Sequence, residues 1–138
     1  MRERPFLDTN VLLYLFSAET AKADRAEALV SAGGIVSVQI LNEFASVATR
    51  KLDLSWPETL EALTAIRASC RVEPLTVETH ECGTELAQRY RMSLFDGVVV
   101  AAALLASCKV LYSEDLHDGL LVDRRLTVRN PFRPKRLM

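Results

Sequence analysis

The sequence contains few histidines, cysteines, prolines and glycines, and each shortage excludes a class of protein. Its 138 residues include 2 His, 3 Cys, 5 Pro and 5 Gly. Cys70, Cys82 and Cys108 are widely spaced and form no CxxC pair, which argues against a disulfide framework and predicts reduced, mostly buried thiols. So little proline and glycine also excludes a low-complexity or disordered chain.

Long apolar runs are missing as well. The longest charge-free apolar stretch, residues 97–108, is too short to span a bilayer, and the first residues lack the pattern of a signal peptide. We therefore expect a cytoplasmic protein that makes no membrane contact. An apolar fraction of 49% and a charged fraction of 25% are typical of a folded protein, and the length predicts a single domain over residues 1–138.

Charge is spread unevenly along the chain although the net charge is only −1. Residues 124–138 hold six basic side chains and no acid, whereas residues 1–123 carry 11 basic and 18 acidic side chains. A basic tail on an acidic body could contact phosphate or an acidic partner, or could simply keep the C-terminus in solution.

Two kinds of apolar pattern alternate along the sequence. Strand-like runs occupy residues 6–7, 35–38, 71–75, 109–112 and 126–128, and helical patterns cover 10–16, 21–32, 39–52, 56–70, 78–90 and 96–107. Thr9 or Asn10 is expected to cap the first helix. Pro74 and the Asn130-Pro131 pair indicate that the third and last strands lie at edges. Alternation of strands with helices predicts an α/β fold with a parallel sheet covered on both faces.

Four acidic residues stand in apolar segments that normally exclude carboxylates. Asp8 and Asp115 follow predicted strands, and Glu43 and Asp96 are predicted in the first turns of helices that start on the side of the strands' carboxyl ends. A charged carboxylate in apolar surroundings is costly unless it is paired or bound to a metal. Because parallel sheets bind ligands beyond the carboxyl ends of their strands, we expect all four at one edge. Oxygen ligands suit Mg²⁺, which activates water and stabilises a leaving oxygen, so the pattern predicts a metal-dependent nuclease.

Taken singly, most of these acids also have a purely structural explanation. Asp8 and Asp96 could cap the helices that follow them, and Asp115 could be an ordinary turn residue. Glu43 is harder to explain in this way, because it has apolar neighbours and lies away from a cap. His117 is expected to be a solvated loop residue, because a metal can activate water without a histidine base.

Five segments of the chain occur in an order that resembles a known family. They are FLDTNVLLY, LNEF, FDGVVVAAAL, LYSEDLHDG and RNPF, between residues 6 and 132. Their order resembles that of the PIN-domain ribonucleases, and it is most similar to the VapC-type toxins of toxin–antitoxin pairs. The resemblance implies a three-layer α/β/α sandwich around a short parallel sheet, and cleavage of RNA with Mg²⁺ or Mn²⁺. It also implies a homodimer that is silenced by a small antitoxin protein.

The family's functional residues carry over by position. Its catalytic, metal-binding acids fall on Asp8, Glu43, Asp96 and Asp115, and the supporting polar residues fall on Asn10, Ser113 and Thr9. Gly97 departs from the alanine that relatives often have after the third aspartate, which leaves local rigidity around Asp96 in doubt.

Basic and apolar residues suggest where RNA and protein partners bind. Plausible RNA phosphate contacts are Arg50, Lys51, Arg129 and Arg133. Apolar side chains within residues 12–16 and 62–66 predict a surface that faces a partner, and we expect the antitoxin to cover an apolar groove.

Two other functions compete with the nuclease interpretation. A haloacid-dehalogenase-like phosphohydrolase also begins with an aspartate after its first strand, but it needs a second acid two residues later, where this chain has Asn10. A catalytically silent PIN-fold module that binds RNA or protein is the non-enzymatic alternative. Four clustered carboxylates argue against such a module, and metal titration would separate it from a nuclease.

Overall fold

The computed structural model describes residues 3–133. Its elements along the chain are β1 (Phe6–Leu7), α1 (Thr9–Leu13) with a 3-10 turn (Tyr14–Phe16), α2 (Thr20–Ser31), β2 (Ile35–Ser37), α3 (Val38–Arg50), α4 (Trp56–Ser69), β3 (Arg71–Glu73), α5 (Val77–Tyr90), α6 (Leu94–Leu105), β4 (Val110–Tyr112), β5 (Leu121–Val122) and β6 (Leu126–Arg129). Short strands thus alternate with helices over most of the chain, as the apolar patterns predict.

The strands form one sheet in the order β3-β2-β1-β4-β6-β5. Helices flank this sheet, which confirms the predicted three-layer α/β/α sandwich. β1 pairs in parallel with β2 on one side and with β4 on the other, so Phe6 lies beside both Ile35 and Leu111. The chain order of the strands reverses at β1. Ligand sites in such sheets lie beyond the carboxyl ends of the strands at this reversal.

Apolar side chains around the central strands make up the core. Phe6, Leu7 and Leu111 are fully buried, and the middle of α6 from 97 to 104 is buried on every face. The sequence predicts this, because the α6 segment is apolar at nearly every position. A rigid core therefore lies directly beneath the strand ends that carry the predicted acids.

The last part of the sheet differs from the prediction. β6 is not an edge strand, because β5 pairs with its outer side in antiparallel fashion, Val122 opposite Leu126. β5 has only two residues, one of them exposed, and its turn contains no glycine even though Asp123 and Arg124 adopt positive φ. None of the usual hairpin signals was therefore present. The edge position of β3, indicated by Pro74, is confirmed.

Three helix starts also differ from the prediction. Asp8 caps α1, so neither Thr9 nor Asn10 does. Ser37 caps α3, and this start places Glu43 in the second helical turn instead of the first. Ser93 caps α6 by accepting a hydrogen bond from the Asp96 N–H, which leaves the Asp96 carboxylate free of a capping role.

Helices α5 and α6 approach each other closely at two glycines. A Cβ atom added to Gly97 would overlap the carbonyl oxygen of Gly83 and lie 2.9 Å from the Cβ of Ala87. A Cβ on Gly83 would lie 2.7 Å from Cγ2 of Val98. The glycine that departs from the family pattern is therefore required by the packing of the helix that carries Asp96.

The remaining sequence expectations concern thiols and membranes. Cys70 and Cys108 are buried, Cys82 is half-buried, and all three are free thiols, which confirms the prediction. Between residues 3 and 133, no helix combines the length and apolar character needed to cross a bilayer.

Candidate functional site

Asp8 is the most deeply buried of the four predicted acids, with 5% of its surface exposed. One carboxylate oxygen, Oδ1, accepts a hydrogen bond of 2.8 Å from the Thr9 N–H. The other, Oδ2, accepts from the Ser113 hydroxyl at 2.7 Å and from the Asn10 amide at 3.3 Å. Burial, together with smaller contributions from the charges of Asp115 and Glu43, raises the pKa of Asp8 to about 6 in spite of these donors.

Ser113 joins the end of β1 to the loop that follows β4. Its fully buried hydroxyl donates to Asp8 and accepts from the N–H groups of Asp115 and Leu116, each at 3.2 Å. Asn10 adds a second link, because its Oδ1 accepts from the Glu114 N–H at 3.0 Å. Both side chains therefore bond to Asp8 and to backbone N–H groups of the loop that carries Asp115, and their supporting role stays a prediction.

Two neutral donors hold the Glu43 carboxylate. The Thr9 hydroxyl donates to Oε2 at 2.8 Å, and the Gln39 amide donates to Oε1 at 3.2 Å. Thr9 thus contacts an acid of the quartet and does not cap α1. Sequence reasoning missed Gln39, although a polar side chain four residues before Glu43 on a helix was an available signal.

Asp96 and Asp115 lie closer to solvent than Asp8. Asp96 is in the first turn of α6 and is half-buried, and this burial raises the pKa of its carboxyl above the ordinary value. The negative charge of Asp115 raises that pKa further. Asp115 itself is exposed in the loop after β4.

Charge interactions link the four acids in pairs, and this set of four is called the acidic cluster below. Asp8 interacts with Glu43 and Asp115, and Asp115 interacts with Asp96. In the part of the chain that the structure describes, however, no three His, Cys, Asp or Glu side chains stand close enough to hold a metal ion as they are. The donor set still suits Mg²⁺ or Mn²⁺, because these ions prefer carboxylate oxygen, and Mg²⁺ keeps several waters between itself and the protein.

The described part of the chain offers the cluster no positive partner. Among residues 3–133, none of these four carboxylates forms an ion pair with Lys or Arg. Glu114, next to Asp115, points elsewhere and accepts hydrogen bonds from the Tyr14 hydroxyl and from Lys22. Within the described residues 3–133, the donors to the cluster are neutral and leave its negative charge uncompensated.

The predicted RNA contacts are scattered. Arg129 ends β6, and its carbonyl accepts from the Ser113 N–H at 2.9 Å, so its backbone adjoins the site. Arg50 and Lys51 lie at the far end of α3, with Arg50 about 10 Å from Glu43 along the helix axis. Arg133 pairs with Asp118 at 3.4 Å. The basic residues at 135 and 136 lie outside the described residues.

An apolar cleft opens beside the acidic cluster. Its volume is about 310 Å³, and its lining consists of Asn10, Leu13, Tyr14, Phe16, Ser17, Leu52 and Glu114. Asn10 belongs to both features, because its amide also donates to Asp8.

Comparison with known proteins identifies the fold. The family model described as PIN domain matches residues 6–117. A toxin–antitoxin complex from Klebsiella pneumoniae superposes with a TM-score of 0.70 at 20% identity, covering 92% of this chain and 97% of that one. VapC20 of Mycobacterium tuberculosis, described as a sarcin–ricin loop cleaving toxin, gives 0.65 at 24% identity, covering 80% and 88%. VapBC2 from Rickettsia felis, bound to promoter DNA, gives 0.65 at 14% identity, covering 91% and 96%. No curated protein matches the sequence.

Proposed function

Because the chain belongs to the PIN domain family, we propose that it is a Mg²⁺- or Mn²⁺-dependent endoribonuclease and the toxin of a toxin–antitoxin pair. One observation carries the proposal: the charges of Glu43 and Asp115 act on Asp8, that of Asp115 acts on Asp96, and among residues 3–133 the hydrogen-bond donors to these carboxylates are neutral. Leaving so much negative charge uncompensated is unfavourable in a folded chain, and a bound cation removes the penalty. We propose that the whole chain acts as one nuclease domain.

In this proposal the chain holds the cation and the cation assists hydrolysis. A bound divalent ion would activate a water molecule and stabilise the leaving oxygen of a phosphodiester. Asp8, Glu43, Asp96 and Asp115 are the residues that would hold it. Thr9 orients the Glu43 carboxylate, and Asn10 and Ser113 orient the Asp8 carboxylate, through the hydrogen bonds described above.

RNA cleavage by the purified protein tests the proposal. The substrate is pooled structured RNA that includes the sarcin–ricin loop, because VapC20 is described as cleaving it. Reactions contain Mg²⁺, Mn²⁺ or EDTA, and Asp8→Asn and Asp96→Asn proteins are prepared in parallel. We expect cuts that need metal and are absent from both variants. Equal cutting by wild type and variants would reveal a contaminating ribonuclease, and full activity of either pure variant would overturn the assignment of the acids.

Toxicity gives a second test in living cells. We expect expression of the wild-type chain in the bacterial cytoplasm, where its RNA substrate is found, to arrest growth. Asp8→Asn protein expressed at the same level should not do so. Equal growth arrest by the two chains would contradict a toxin that acts through RNA cleavage.

The protein partners in this proposal are an antitoxin and a second copy of the chain. One similar structure is described as a toxin–antitoxin complex. An antitoxin segment in the apolar cleft would reach the acids, because Asn10 lines the cleft and binds Asp8. Phe16, Trp56 and Leu60 are exposed by 45%, 60% and 57%, which leaves apolar surface for protein contacts. Light scattering that shows a strict monomer at micromolar concentration would count against the homodimer.

A silent binding module is the second candidate, and one observation favours it. No three acids among residues 3–133 are preassembled around a metal. Titration with Mn²⁺ separates the two candidates: a nuclease should bind the ion, and a silent module should bind RNA without it. The family match leaves no support for the dehalogenase-like alternative.

A further inference from the structure

Gln39 is a buried polar residue at the start of α3. It is the second residue of α3, only 8% exposed, and lies one helical turn before Glu43. Ile40, Phe44 and Ala48 on the buried side of the same helix are apolar. Burial of an amide is unfavourable unless hydrogen bonds compensate for it, so the partners of Gln39 explain its presence.

Those partners belong to two different helices of the acidic cluster. The amide nitrogen of Gln39 donates to Glu43 Oε1 at 3.2 Å and to the carbonyl oxygen of Phe95 at 2.9 Å. A glutamine amide has two N–H hydrogens, and each has one acceptor here. The opposite orientation of the amide would place its oxygen against two acceptors, so the contacts fix the orientation.

The contact to Phe95 is important because the next residue is Asp96. Gln39 therefore connects the Glu43 carboxylate on α3 to the first turn of α6. Thr9 holds the other oxygen of Glu43 at 2.8 Å from the α1 side. Because both of its carboxylate oxygens accept hydrogen bonds, Glu43 has a rotamer that is fixed relative to Asp8 and Asp96.

We propose that Gln39 is a positioning residue that fixes the Glu43 carboxylate relative to Asp96 and thereby sets the affinity of the acidic cluster for divalent metal. The inference rests on the proposed function, since it assumes that the cluster binds metal. A neutral amide suits this task better than Lys or Arg, because it orients the carboxylate and leaves its charge available to a cation.

Mn²⁺ binding to the full chain, without RNA, tests the proposal. Gln39→Met keeps the length of the side chain and removes both donors. Its dissociation constant for Mn²⁺, measured by calorimetry and by electron paramagnetic resonance, should rise by about tenfold or more, the usual effect of losing a partner that orients a metal ligand. Thr49→Val is the matched control, because it removes a hydroxyl on the same helix that bonds only to Ala45 and Ser46 carbonyls. We expect the control to bind Mn²⁺ like the wild type.

A double-mutant cycle distinguishes positioning from a general effect on the fold. If Gln39 acts through Glu43, adding Gln39→Met to Glu43→Ala should weaken Mn²⁺ binding no further. A further loss as large as in the wild-type background would overturn the proposal, as would a folded Gln39→Met protein with unchanged affinity. Should Gln39→Met fail to fold by circular dichroism, Gln39→Asn is judged by the same criteria, because its shorter amide cannot span both acceptors.

The same titration separates this proposal from the proposed function. A wild-type chain that binds no Mn²⁺ would overturn both. A wild-type chain that binds Mn²⁺ and cuts RNA, together with an unchanged Gln39→Met protein, would overturn the role of Gln39 alone.

Discussion

Glu114 and Asp115 are neighbours in sequence, but their surroundings are opposite. The Glu114 carboxylate accepts hydrogen bonds from Tyr14 and Lys22, the latter at 3.2 Å, and is therefore neutralised by the chain. Asp115 has no such partner among residues 3–133, and its charge acts on two other acids, Asp8 and Asp96. One step along the backbone thus separates an acid that serves the structure from an acid left available for a ligand.

The same contrast holds between the acidic cluster and the rest of the surface. Acids outside the cluster that have a basic partner include Glu73 with Arg71, Asp123 with Arg89, Asp118 with Arg133 and Glu3 with Lys109. Inside the cluster, the partners are hydroxyl, amide and backbone N–H groups. Neutral donors orient a carboxylate without cancelling its charge, which is the condition that a metal ligand requires.

The largest predicted effect is the difference between removing the charge of Asp115 and removing that of Glu114. Asp115→Asn should lower the rate of metal-dependent RNA cleavage by at least about a hundredfold, because it removes a proposed metal ligand. Glu114→Gln removes the same charge one residue away and should change the rate by no more than about threefold, since exposed pairs contribute little. Cleavage of the same RNA by both proteins, under identical metal concentrations, measures the contrast. Similar losses of cleavage rate in the two variants would contradict the distinction between a structural Glu114 and a metal-binding Asp115.

Acid pH should stabilise the metal-free protein through Asp8. Its pKa is about 6 in the folded chain against an ordinary 3.8, because burial disfavours the charged form. Above about pH 6 the folded state therefore carries a penalty of about 3 kcal/mol, which disappears as the pH falls below the unfolded value. Urea unfolding in EDTA between pH 4 and pH 7.5 measures it. Asp8→Asn is the control, and its free energy of unfolding should lack this dependence on pH. If the free energy of unfolding changed with pH equally in the two proteins, the prediction would be contradicted.

Gly97→Ala should disturb the position of one acid without changing any charge. The new methyl group would press on the Gly83 carbonyl, so we expect a loss of about 1–3 kcal/mol in the free energy of unfolding. Gln88→Ala, at an exposed position of α5, is the control and should leave stability nearly unchanged. Thermal and urea denaturation of the three proteins give the comparison. A Gly97→Ala protein as stable as the wild type would show that α5 and α6 separate easily.

The smallest effect is predicted for Lys22→Met. This change removes the cation from Glu114 but leaves the four acids and their donors intact. The affinity for Mn²⁺ and the melting temperature should hardly change, because the pair is partly exposed, with 31% and 29% of the two side chains accessible. A marked gain in Mn²⁺ affinity would show that Glu114, once released, joins the metal site.

The sequence predicted the parts of the site that follow from local pattern. Asp8 and Asp115 were expected at strand ends because short apolar runs precede them, and the sheet brings those ends together. The order of five short segments predicted the PIN fold, which the family match confirms. Metal binding by the four acids stays a prediction.

Tertiary contacts decided what the sequence did not reveal. Thr9 is an acceptable capping residue by local rules, but its hydroxyl has a better acceptor in Glu43, 34 positions away. Gln39 gains its role from the carbonyl of Phe95 on another helix, and no local pattern contains that contact. β5 is too short for a recognisable pattern and exists because β6 offers it a free edge.

The pairing of β1 with β4 has a consequence for synthesis of the protein. Phe6 is synthesised before its neighbour Leu111, and all of the helices α1 to α6 are made between them. Asp8 cannot meet Ser113 or Asp115 before then, because these residues follow β4. The four acids therefore cannot come together on the ribosome until β4 and the loop that carries Asp115 have emerged. A nascent chain that still lacks this segment could not yet have the proposed nuclease activity.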